Sequence, residues 1–248
     1  MIINWPLIIV LFCLCIPGVC IAMSRLVYFL LPHNSDALKK RLGRFAVLQT
    51  LFMVGVMAFA GSVLSGQTGL NAPLLEALLT GKAGLDSFQS IVLPTFLYTL
   101  VGSVIFFVFY YGIVASILDE HSFQILAKLR AALGLDGCVL YGGVVEEVIV
   151  RWGLMNVVAY FGLMFAKQRS NTVIVTSIIL SGFLFAVGQI PAYIAAGCIA
   201  SRRFLYSLVL LSLWQSLLFG FLFWQYGLIS AILGHMLFHL AWGFYDKQ

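Results

Sequence analysis

The chain has 248 residues, of which 62% are hydrophobic and 9% charged, with a net charge of +5 and a mean hydropathy of +1.05. No soluble domain of this length carries so little charge, so the composition excludes a soluble enzyme and implies an all-α, polytopic transmembrane helical bundle. The positive excess is not a nucleic-acid signal, because its placement along the chain reports topology instead.

About seven spans and two short interfacial helices are predicted. The first span runs from about Pro6 to Leu31, with Pro17-Gly18 as a kink. It lacks a basic leading region, so it reads as a retained span rather than a removed signal. A polar connection, His33 to Arg44, leads into the second span, Phe45 to Leu64. In the stretch Gly66 to Ser90, Asn71 is placed to cap a short interfacial helix carrying Leu74, Leu75, Leu78 and Leu79 on one side, stopped by Gly81. The third span is Ile91 to Leu118. Ser122 to Leu133 is a second amphipathic helix, ended by Gly134, and Asp136 is placed to cap the fourth span, Gly137 to Phe165. The fifth is Thr172 to Ile190, closed or bent by Pro191. The sixth is Phe204 to Gln225, and Tyr226-Gly227 turns the chain into the seventh, Leu228 to Phe244. Residues 1–132 read as generic membrane spans and 133–248 as the part carrying chemistry, within one integral unit.

The positive-inside rule orients this layout. With the N-terminus outside and the C-terminus cytoplasmic, Arg25, Lys39, Lys40, Arg41, Arg44, Lys128, Arg130, Arg202, Arg203 and Lys247 fall on the cytoplasmic side. Lys82, Lys167 and Arg169 fall outside. Short loops and the lack of a targeting signal point to a bacterial inner membrane. The five cysteines sit in apolar segments without metal-ligand spacing and read as small buried residues.

Against this background Glu146, Glu147 and Arg151 stand out inside the apolar run from Val139 to Phe165. Each charge in a bilayer costs roughly 2.5–3.5 kcal/mol on insertion scales unless it is paired or functional. Glu147 and Arg151 are spaced i,i+4 and can pair. Glu146 lies about 100° round an α-helix and is left over. The seventh span holds His235 and His239 on one face, and the fifth holds Phe185 and Gln189, both candidates to line a substrate site. At about 1.5 Å per residue, Glu146 and His235 lie roughly 15 Å from the cytoplasmic ends of their spans and His239 roughly 8–9 Å. With Gln189 near the cytoplasmic end of the fifth span, all four are expected to line one cavity open to that side. Gly142 and Gly143 would admit a neighbouring helix or a substrate backbone closely. A carboxylate in such a cavity can serve as a general base towards water, and imidazoles opposite it can hold an oxyanion. Glu146, His235 and His239 would also suit zinc, although this is not the helix in which the base lies between two histidine ligands. A structural ion cluster between helices is the plain alternative.

Three motifs in order, Glu146-Glu147-x-x-x-Arg151, Phe185-x-x-x-Gln189 and His235-x-x-x-His239, resemble those of the CPBP family. These are intramembrane proteases that include the type II CAAX prenyl proteases and bacteriocin-processing or immunity proteins, also called Abi. The approach Gly220 to Gly234 is similar too, and the resemblance covers about Leu133 to Trp242. It implies Glu146 as the base that activates water, Glu147 and Arg151 as the positioning pair, and His235 as the oxyanion holder. The family pattern has histidine where this chain has Gln189, and asparagine or aspartate where it has His239. Glutamine takes up no proton and is a poor metal ligand, so the water would lose one of two activators. Either His239 compensates, or hydrolysis is lost and binding kept.

The expected function is thus a glutamate-dependent, and on the zinc reading metal-dependent, intramembrane endopeptidase. It would cut membrane-embedded or membrane-delivered peptides or proteins from the cytoplasmic side, with lipid as its surroundings and no nucleic-acid partner. The alternative is a non-catalytic relative acting as a scaffold, immunity factor or chaperone. A proton-coupled carrier is a third reading, for which the chain lacks inverted repeats.

Overall fold

The computed structural model describes residues 3–82 and 85–246. Lys247, counted above on the cytoplasmic side, lies outside the described residues. These residues form helices and no strand, and seven of the helices are long and apolar enough to cross a membrane.

Helix α1 (Trp5–Leu30) is capped by the Asn4 side chain, which accepts from the Leu7 N–H, and it runs through Pro17. Helix α2 (Asp36–Thr68) starts nine residues before the expected Phe45. Ser35 accepts from the Leu38 N–H, and Asp36 suits the positive end of the helix dipole, so the basic stretch becomes the first turns of the helix. Helix α3 (Pro73–Leu79) is the predicted interfacial helix with a different start: Asn71 does not cap it, and Pro73, which needs no partner for a missing N–H, opens it. Its leucines also divide, with Leu74 and Leu75 buried and Leu78 and Leu79 exposed.

Helix α4 (Leu85–Phe107) begins before the expected Ile91 and continues through a π-helical stretch, π1 (Val108–Val114), into a last turn, α5 (Ala115–Ile117). Asp119 then caps α6 (Glu120–Gly137). The Ser122 N–H donates to its carboxylate at 2.8 Å and holds that carboxyl below the usual range. From Glu120 to Ala166 the chain is helical over 47 residues, about 70 Å at 1.5 Å per residue, roughly twice a bilayer core. Gly134 divides it, with φ 71 and ψ 166, so α6 is set off as the amphipathic segment expected before the span. Both Nη atoms of Arg25 hold the Asp136 carboxylate, and Arg25 also donates to the Leu133 carbonyl. The kink is thereby tied to α1.

The span itself is a π-helix, π2 (Cys138–Met155), followed by α7 (Asn156–Ala166). Helix α8 (Asn171–Ala195) passes through Pro191 rather than closing there. Helices α9 (Arg202–Tyr226) and α10 (Leu228–Tyr245) meet at Gly227, whose φ of 85 allows the tight turn.

π2 lies at the centre, packed against α1, α2, α6, α8 and α10. Its Val145, Val148, Trp152 and Met155 are fully buried with Phe219, Phe223 and Phe238 from the last two helices. Small residues permit the contact. A Cβ on Gly61 would lie 2.3 Å from the Trp152 carbonyl oxygen, and beside it Trp152 Nε1 donates to the Ala58 carbonyl at 3.1 Å. Asn156, also buried, donates to the carbonyls of Leu70 and Trp152 and accepts from the Thr68 hydroxyl. Arg25, Asp136, Arg130 and Asp246 gather at one end of the bundle. Arg169 meets the Gly69 carbonyl at the other.

Candidate functional site

π2, α8 and α10 bring the three motifs together, in two layers rather than one. The inner layer is a buried ion cluster. Glu147 Oε1 accepts from His235 Nδ1 at 2.8 Å, and Glu147 Oε2 lies 3.5 Å from Arg151 Nε. These residues are 1%, 2% and 4% exposed respectively. Arg151 Nη2 donates to the Gln215 carbonyl at 3.4 Å. The His235 ring is sandwiched, with Phe219 stacked at 4.1 Å and His239 at 4.8 Å between ring centroids. A buried pair of this kind costs desolvation and specifies geometry more than it adds stability.

The outer layer is a cavity of about 170 Å³, which exceeds what one water needs by a wide margin. Glu146, Gln189 and His239 line it, joined by Arg130, Gln215 and Tyr193. Since Arg151 goes to Glu147, Glu146 has no ion pair among the described residues, as its offset from Glu147 led us to expect. Its carboxylate is half-buried and faces the cavity.

Two expectations change here. His235 is not on the cavity wall, because Glu147 draws its Nδ1 inward and Phe219 and His239 flank its faces. Its Nε2 is buried without a partner. Phe185 is half-buried and also off the wall, one turn from Gln189. The imidazole that shares the cavity lining with Glu146 is therefore His239.

The glycine pair does what its composition implied. A Cβ on Gly142 would lie 2.2 Å from His239 Nε2, and one on Gly143 would lie 2.4 Å from Met236 Cγ. Without side chains at these positions, α10 lies against π2 one turn before the carboxylates.

As to zinc, Glu146, His235 and His239 do not form a ligand set in this arrangement. His235 is committed to Glu147, and no three His, Cys, Asp or Glu side chains converge with metal-holding geometry among the described residues.

Several wall residues were not singled out from sequence. Arg130 was read only as one of the basic residues on the cytoplasmic side, within the second amphipathic helix. Its Nε meets Asp246 at 2.8 Å, its guanidinium lies 3.8 Å over the Trp242 ring, and its Nη1 lies 3.3 Å from His239 Nδ1. Gln215, an amide in the middle of the sixth span, carried the intramembrane-polar signal and could have been found by it.

No curated protein and no solved structure matches the chain significantly. Residues 129–241 of this integral membrane chain match the family model described as type II CAAX prenyl endopeptidase Rce1-like, which is consistent with the CPBP resemblance of its three motifs.

Proposed function

We propose that the protein is a glutamate-dependent intramembrane endopeptidase that cuts membrane-associated peptides or proteins from the cytoplasmic side. The observation that carries this reading is the cavity itself: Glu146, a carboxylate with no ion pair among the described residues, and an imidazole, His239, share its wall with Gln189, Gln215, Tyr193 and Arg130. Glu146 takes a proton from water, and the hydroxide adds to the scissile carbonyl carbon. His239 donates to the resulting oxyanion, the role that sequence alone gave to His235. Collapse of the intermediate breaks the C–N bond, and protonated Glu146 returns the proton to the leaving amine. The amides of Gln189 and Gln215 are placed to hold the substrate backbone, and Phe106, Leu126 and Leu129 supply an apolar wall for its side chains.

The cytoplasmic opening, with the N-terminus outside in a bacterial inner membrane, rests on the basic bias at the end where Arg130 and Arg25 lie. Zinc would require Glu146, His235 and His239 to come together, which this arrangement does not support, and the proton steps above belong to the side chains alone.

Gln189 favours a second reading. It occupies the wall where the family pattern has histidine, so a binding protein that has lost hydrolysis is the alternative. The deciding experiment compares membrane-protein N- and C-termini by mass spectrometry in cells expressing the wild type and Glu146→Gln. Termini unique to the wild type support the peptidase. Identical termini at equal expression overturn it in favour of binding.

A further inference from the structure

We infer that Arg130 is a positioning residue that fixes the tautomer of His239, holding its Nδ1 as an acceptor so that Nε2 carries the proton beside Gly142, in the cavity that Glu146 also lines. Its functional meaning rests on the peptidase reading, but the tautomer itself does not.

The argument starts from what each group is able to do. Arg130 Nη1 lies 3.3 Å from His239 Nδ1. A guanidinium has only donors and stays protonated, so Nδ1 must present its lone pair. The ring then carries its proton on Nε2, and Nε2 is the atom against Gly142, 2.2 Å from where a Cβ would stand. Glu146 is one turn further along π2, on the same cavity wall.

Arg130 is itself held by two partners, Asp246 and Trp242. Its Nε donates to Asp246 Oδ2 at 2.8 Å, and its face lies on Trp242 at 3.8 Å. The other Asp246 oxygen accepts from the Tyr111 hydroxyl, and that hydroxyl accepts from Trp242 Nε1 at 3.0 Å. The His239 ring is also nearly parallel to Trp242, at 5°. Residues from π1 and the end of α10 thus hold one arginine of α6 whose Nη1 is directed to His239. The result is a chain from Tyr111 through Asp246 and Arg130 to His239, serving the imidazole as a second partner serves any ring whose other nitrogen has work to do. His235 takes the opposite arrangement: its Nδ1 meets a carboxylate, so Nδ1 carries the proton there. The two stacked rings are set to opposite tautomers by opposite neighbours.

The test is nitrogen-15 magic-angle-spinning NMR on the full chain in lipid bilayers, labelled at histidine, of which there are four. His239→Asn identifies the signal by deleting it. In the wild type we expect His239 with a protonated Nε2 and an unprotonated Nδ1. Arg130→Met, which keeps length but has no donor, should give a mixture in which the Nδ1–H form rises to a comparable share. Arg130→Lys, which still donates, should restore the Nε2–H form. An unchanged His235 signal in each variant certifies the fold. A wild-type His239 with Nδ1 protonated, alone or together with Nε2, overturns the inference without any variant being needed. So does an unmixed Nε2–H form in a folded Arg130→Met. The termini comparison with Glu146→Gln is independent, so the tautomer can stand while the peptidase reading falls, or the reverse.

Discussion

His235 Nδ1 donates to Glu147 Oε1 at 2.8 Å in surroundings that exclude water from both side chains. Glu147 also answers Arg151 at 3.5 Å. A single carboxylate thus serves a cation on π2 and a ring on α10, and it is the hub by which the third motif is registered against the first. Removing one partner of a buried pair leaves the other charge uncompensated, at about 3–5 kcal/mol. A neutral hydrogen bond between membrane helices is worth only about 0.6 kcal/mol on average. Glu147→Ala should therefore lower stability severely. Thr95→Val, which deletes the 2.5 Å hydroxyl contact between Thr95 and Ser230, should cost a small fraction of that. Midpoints of unfolding in mixed detergent micelles measure both, and equal losses would refute the hub.

The two neighbouring glutamates should separate cleanly under the same conservative change. Glu146→Gln removes a charge that has no ion-pair partner among the described residues, so stability should be held or raised, since an unpaired charge in a bilayer is itself a cost of up to about 2.5–3.5 kcal/mol. Cleavage should fall by 10²-fold or more, the low end for a lost general base. Glu147→Gln should lose stability first, with activity following. Paired unfolding and turnover measurements on the two variants check the division. A stable Glu147→Gln with normal turnover would mean that the cluster is needed for neither stability nor chemistry.

Much of this division was legible in the residues. The i,i+4 spacing of Glu147 and Arg151 implied their pair and the isolation of Glu146, and Gly134 marked the break before the span. The helical type of π2 was not legible, because a run apolar on nearly all sides carries no periodicity to distinguish hydrogen bonds stepping by five from those stepping by four. The orientation of His235 was also hidden. Helix spacing puts His235 and His239 on one face, but only the packed neighbours Glu147, Phe219 and Arg130 decide which ring turns inward. Helix starts failed where a side chain capped the chain outside the apolar run, as Ser35 does for α2.

Gly142 offers a geometric test of the cavity. A methyl group there would stand 2.2 Å from His239 Nε2, so Gly142→Ala must displace the ring or spread π2 from α10. Overpacking of this kind costs about 1–3 kcal/mol. The expected pattern is a cleavage loss out of proportion to that cost, because the displaced atom is the one facing the oxyanion. Gly66→Ala is the control, since nothing lies within 4 Å of its Cβ and alanine should leave stability unchanged or raise it by up to about 1 kcal/mol. Initial rates normalised to folded protein compare the two. Full activity in Gly142→Ala would remove His239 from the chemistry.

Gln189 gives the sharpest choice between hydrolysis and binding. Its amide lines the same wall as Glu146 and His239, where it can donate and accept but cannot take up a proton. Gln189→His puts a second base on the wall without adding charge when neutral. If Glu146 already activates water, cleavage should rise by about 10-fold or more, since a positioned acid or base contributes 10²–10⁴-fold and Glu146 is already in place. Peptide binding without hydrolysis should show as unchanged or weakened affinity and no new termini. Rates and affinities measured on one reconstituted preparation of each variant separate these outcomes. A gain that vanishes in the double variant with Glu146→Gln assigns the rate to the two side chains acting on one water. A gain that survives it would mean that histidine at 189 works alone and that Glu146 is not the base.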